Sequence, residues 1–79
     1  MKYGYLVRED GNVPVLLRHA NGVVETFDPR EPGDWRDSPS RYGILSGDDD
    51  WVWFDKVSES DAEKYADTIR KFFRDNGFV

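Results

Sequence analysis

The chain has 79 residues, 16 acids against 11 bases for a net charge of −5, and no cysteine. A chain of this size makes one domain with a thin core. It has no disulfide or thiolate zinc site, and its charge disfavours a nucleic-acid backbone or an anionic membrane as partner. Its longest apolar runs are four residues, far below the roughly 20 that span a bilayer. The N-terminal residues Met1-Lys2-Tyr3-Gly4-Tyr5 contain no apolar signal-peptide core, so a cytoplasmic location is expected. Aromatic residues make up 15% of the chain, which favours folding over disorder, because each ring buries far more area than an average side chain.

The first third predicts a β-meander. Tyr3, Tyr5 and Val7 alternate with Lys2, Gly4 and Arg8, although Leu6 breaks the alternation. Asp10-Gly11-Asn12 is a turn. Val13, Val15 and Leu17 form a second alternating run, whose Pro14 belongs at a sheet edge or among a strand's first residues. Asn21-Gly22 favours a two-residue type I′ turn. Val23 to Asp28 is a third strand with an ambiguous pattern: Val23, Glu25 and Phe27 share one face, Val24 and Thr26 the other, and a bulge would resolve it.

Residues 28–34, with Pro29, Pro32 and Gly33, predict a loop. Trp35 is placed in it, either plugging one end of the core or serving as an anchor for a partner. Ser38-Pro39 has the form of a helix N-cap followed by proline at the first helical position, with Gly47 ending a short helix; a strand at 42–46 competes. Trp51-Val52-Trp53-Phe54 is expected to be the last strand, apolar on both faces.

A long C-terminal helix is the clearest element. Ser58 caps it, with Asp61 at N3, and Val57 and Ala62 stand at the hydrophobic-staple positions. Ala62, Tyr65, Ala66, Ile69, Phe72 and Phe73 form one apolar stripe. Acids open the helix and Arg70, Lys71 and Arg74 close it, as the dipole favours. Asp67 can pair with Lys71, and Gly77 suits a Schellman end closed by Phe78 on Phe73. The expected fold class is α+β: a mainly antiparallel meander sheet of about four strands covered on one face by this helix, as a single domain over 1–79.

Phe27-Asp28-Pro29, Gly33-Asp34-Trp35, Ser38-Pro39-Ser40, Gly47-Asp48-Asp49 and Val57-Ser58-Glu59-Ser60-Asp61-Ala62 occur in that order along most of the chain. In this the chain resembles small uncharacterised single-domain proteins of actinobacteria and their phages. The resemblance implies a bacterial cytosolic setting and transfers no activity or site residue.

Few residues suggest chemistry. The single histidine, His19, sits by a hairpin turn and reads as a surface residue rather than a base in a triad. Asp48, Asp49 and Asp50, with Asp55 nearby, form an acidic cluster. Adjacent residues in an extended segment point to opposite faces, and the spacing does not match an EF-hand, so a solvated turn is the plainer reading. Gly-rich phosphate-binding patterns are missing, and no cofactor is expected. Arg30, Arg36 and Arg41 lie near Trp35 and Tyr42, but interleaved acids make the segment nearly neutral, so direct nucleic-acid binding is not expected.

Protein binding is the activity left. One helix covers one sheet face, so the last strand would present either Trp51 and Trp53 or Val52 and Phe54, together with Tyr3 and Tyr5 if their strand is adjacent. The expected partner-binding residues are Trp51, Trp53, Asp48, Asp49, Asp50 and Trp35, an aromatic surface with an acidic rim. The leading expectation is a non-enzymatic protein-binding domain, a phage or mobile-element modulator or inhibitor of a host protein; a homodimer would suit the same surface. The alternatives are an acidic DNA mimic, which calls for a continuous acidic stripe, and a small metal-dependent enzyme using Asp48, Asp49 or Asp50. The charge is polarised: residues 47–67 hold 8 acids and 2 bases, while residues 1–46 hold 7 and 6.

Overall fold

A computed structural model describes residues 2–11, 13–38 and 54–77. Five antiparallel strands form one sheet: β1 (Gly4–Asp10), β2 (Val13–Ala20), β3 (Val23–Phe27), β4 (Trp35–Asp37) and β5 (Asp55–Val57), in the order β4-β3-β2-β1-β5. One helix, α1 (Glu59–Asp75), packs on it. The architecture is α+β with a meander-like sheet, with five strands where about four were expected.

Local chemistry sets the turns. Asn21 and Gly22 have φ of 53° and 80°, the left-handed pair that a two-residue β2–β3 hairpin needs. Pro14 is the second residue of the central strand β2, where it faces Glu9 of β1. The β3 pattern needs no bulge. Leu16 on one face of β2 and Leu17 on the other are both buried, as are Phe27 and Val24 on opposite faces of β3. The sheet therefore has a core on each side, and this accounts for Leu6, which interrupts the alternation in β1.

On the helix side, Val7, Leu16 and Phe27 pack with Ala62, Ala66 and Ile69. On the other side, Leu6, Leu17, Val24 and Phe54 form a second buried cluster. Phe54 is thus a core residue. It precedes strand β5, which pairs with β1 at one end of the described strand order. The other residues of the strand expected over 51–54, and the short helix or strand over 39–47, lie outside the described residues.

The Ser58 hydroxyl accepts a hydrogen bond from the Asp61 amide at 3.1 Å, so the capping expectation holds. At the other end, Gly77 has φ of 73° and its amide donates to the Arg74 carbonyl at 3.3 Å, half of a Schellman closure. Phe78 lies outside the described residues. Asp67 pairs with Arg70, at 2.8 Å, and not with Lys71. Arg70 also reaches Asp34, at 3.3 Å, so it bridges the helix to the β3–β4 connection.

That connection is organised by a buried carboxylate. Asp28 accepts from the Arg30 amide, Nε and Nη2, each at 3.0 Å, and from Arg36 Nη1 at 3.4 Å. These arginine hydrogen bonds outweigh the cost of burial and hold the Asp28 carboxyl below the usual aspartate range. Ser38 is buried as well, with its hydroxyl 2.6 Å from that of Thr26. Helix α1 starts beside Tyr5 and ends against this loop, where Arg30 lies 5.2 Å from the Phe73 ring centroid.

Candidate functional site

The site begins with the register of the sheet. Val57, Tyr5, Arg18, Glu25 and Asp37 are successive cross-strand partners and form one row on the helix side. Two residues along each strand lies a second row: Asp55, Val7, Leu16, Phe27 and Trp35. Two residues the other way lie Tyr3, Ala20 and Val23, the last two directly paired. Helix α1 buries the Val7-Leu16-Phe27 row. Beyond its N-terminus the outer row meets solvent, and Val23, at 42% exposure, is the one exposed large apolar side chain among the described residues.

Between these rows sits an aromatic corner. Tyr3 and Tyr5 have ring centroids 6.3 Å apart, Tyr5 and Trp35 6.4 Å, and Trp35 meets Phe27 edge-on at 5.2 Å. Tyr3, Tyr5 and Trp35 are each half-buried. The Arg18 guanidinium is clasped between two of the rings, 4.1 Å from the Tyr3 centroid and 4.2 Å from that of Trp35. Its Nε donates to Glu25 at 2.7 Å. Cross-strand pairing brings these groups together: Arg18 and Glu25 face each other, and Tyr5 faces Arg18.

Acidic groups border the corner. Glu59 and Glu63, on the first turns of α1, are exposed, and Asp37 lies beside Glu25 on β4. Burial first, then the Glu59 charge, pushes the Tyr5 hydroxyl above its ordinary pKa; Arg18 opposes this and Glu63 adds to it. Lys56, Lys64 and Lys71 are exposed as well, and Lys64 lies 3.9 Å from Asp61.

Of the residues expected at the site, the structure places Trp35 in this corner. Trp35 opens strand β4 rather than lying in a loop, because it pairs with Phe27. It is half-buried, packs against the helix-side core and stacks on Arg18. Trp51, Trp53, Asp48, Asp49 and Asp50 lie outside the described residues. Tyr5 pairs with Val57 of β5, and Tyr3 and Tyr5 lie on the helix side; the strand to which they were expected to be neighbours, over 51–54, is outside the described residues except for Phe54. Sequence reasoning passed over Arg18, Glu25 and Val23. The charge of Arg18 inside an alternating strand was the available signal, but its two ring partners come from residues 15 and 17 positions away.

His19 lies apart, on the opposite face, half-buried against Gly4. A β-carbon at Gly4 would collide with the His19 ring. Gly4, Tyr5, His19, Lys56 and Val57 line a hollow of about 280 Å³ there. Arg30 and Arg36 both point at Asp28, which agrees with the mixed-charge reading of that segment. Among the described residues no group of three His, Asp or Glu side chains is arranged to hold a metal ion, and no helix is long and apolar enough to cross a membrane. Comparisons of the chain with protein-family models, with curated proteins and with solved structures returned no match.

Proposed function

We propose that this chain is a small non-enzymatic domain that binds another protein, and that it docks through the sheet corner formed by Tyr3, Tyr5, Arg18, Val23 and Trp35. One observation carries the reading: exposed Val23 shares a sheet face with three half-buried aromatic rings and a stacked arginine, at the end that α1 leaves uncovered. Trp, Tyr and Arg are the residues that dominate binding energy at protein interfaces, where they act as pre-positioned anchors. Here their geometry is already set by the stacked Arg18 and its bond to Glu25, so little side-chain freedom is lost on docking. The polar border of Glu59, Glu63 and Asp37 gives the corner the apolar-centre, polar-rim pattern of an interface. Small size, acidity and the resemblance to actinobacterial and phage proteins support a role as a modulator or inhibitor of a host protein. The acidic-rimmed aromatic surface expected from Trp51, Trp53 and Asp48–Asp50 belongs to the same proposal.

The test is affinity capture from a bacterial host lysate with wild-type chain, Val23→Lys and Trp53→Ala. A bulky charge at Val23 blocks docking on this corner without touching the core. A protein retained by the wild type and lost by Val23→Lys, with an unchanged circular dichroism spectrum, supports the proposal. Equal retention overturns the corner as the site, and loss with Trp53→Ala alone moves the site to Trp53.

A further inference from the structure

We propose that the partner segment seated on this corner is basic: an apolar residue that covers Val23 and Tyr3, next to a lysine or arginine that lies among Tyr5, Glu59 and Glu63. This inference rests on the docking reading above and adds the partner's chemistry to it.

The charge arrangement decides the sign. Arg18 and Glu25 answer each other at 2.7 Å, so neither is available to attract a partner. Val57 pairs with Tyr5, and α1 starts two residues later, so exposed Glu59 and Glu63 stand on the first turns beside the corner. Among the described residues these two carboxylates make that side of the rim negative. Glu59 and Glu63 are exposed, have no ion-pair partner among the described residues, and act on the Tyr5 hydroxyl. An acidic segment would meet like charge here. A cationic one gains attraction, and its head group can also lie against ring faces, as Arg18 does within the chain itself. The apolar requirement comes from Val23, which stands in the same row as Tyr3 at 42% exposure.

A displayed library of random 12-residue peptides selected on the immobilised full-length chain tests this. Recovered peptides are then measured on wild type, on Val23→Lys and on the double variant Glu59→Gln/Glu63→Gln, each checked for native circular dichroism. The expected peptides place lysine or arginine beside an apolar residue and bind Val23→Lys at least about tenfold more weakly. They also bind the double variant about three- to tenfold more weakly and lose affinity as salt rises. Peptides that lose binding with Val23→Lys but carry no basic residue, or that ignore the double variant, overturn the basic partner and leave the docking corner standing. Peptides indifferent to Val23→Lys, or a selection that yields none, overturn the docking corner itself.

Discussion

Leu16 and Arg18 stand two residues apart on the same face of the same central strand, yet they belong to different regions of the molecule. Leu16 is 1% exposed beneath the helix, among Val7, Phe27, Ala62, Ala66 and Ile69. Arg18 keeps a fifth of its side chain in solvent, clasped by Tyr3 and Trp35. The sheet is continuous through both. What differs is the cover, because α1 begins at Glu59 beside Tyr5 and runs toward the β3–β4 loop, away from the outer row. Among the described residues, a single helix on a five-stranded sheet thus divides one face into a core and a surface. The surface half is stabilised by rings and a stacked cation where the core half uses close-packed aliphatic groups.

Leu16→Ala should break the covered half most severely. It leaves a cavity in a fully packed site and should cost about 3 kcal/mol, which a denaturant melt would read as near-complete loss of stability in so small a domain. Asp28→Ala comes next, at about 2 kcal/mol, since it leaves Arg30 and Arg36 without their shared acceptor where the helix ends. The same carboxylate gives a pH dependence with a definite sign. Its folded pKa is lowered, so its contribution is whole above the ordinary aspartate range. That contribution is lost as pH falls from near 4 through the lower folded value, and the wild type should lose more stability than Asp28→Ala over that interval.

Ser58→Ala removes the cap that marks where cover begins and should cost about 1 kcal/mol, with fraying of the first turn visible in amide exchange at Asp61. Arg18→Gln removes the stack and the Glu25 bridge in the uncovered half and should also cost no more than about 1 kcal/mol, well short of Leu16→Ala. Val23→Lys is expected to be the mildest, within about 0.5 kcal/mol. If Arg18→Gln or Val23→Lys destabilised the chain as much as Leu16→Ala, the division between core and surface on this face would be wrong.

Much of the fold that sets up this division is legible in the amino-acid order. Ser58, the apolar stripe from Ala62 to Phe73 and Gly77 act over one helical turn, so their spacing alone places the helix and both its ends. Asn21-Gly22 places the central hairpin for the same reason, because this pair readily takes the two left-handed conformations of a type I′ turn. Trp35 stands out as important, although its strand pairing with Phe27 is not visible in the sequence. The double-sided core is hidden in the short apolar pairs Leu6-Val7 and Leu16-Leu17, which break a period-two pattern without saying what lies on each side.

Sequence by itself determined the local elements: the helix and its caps, the hairpin, the succession of the first three strands, and the local imbalance of charge. These depend on groups a few residues apart, whose geometry follows from backbone sterics and hydrogen bonding. Only the tertiary structure decided which half of the helix-side face is covered, that Arg18 is held by rings from Tyr3 and Trp35, and that Asp28 gathers Arg30 and Arg36 at the far end. The cover and the Arg18 clasp depend on strand register and on the angle at which one helix crosses the sheet. Asp28 and its arginines are close in the chain, but the fold of their loop decides how they meet. Those quantities are set by packing across the whole domain.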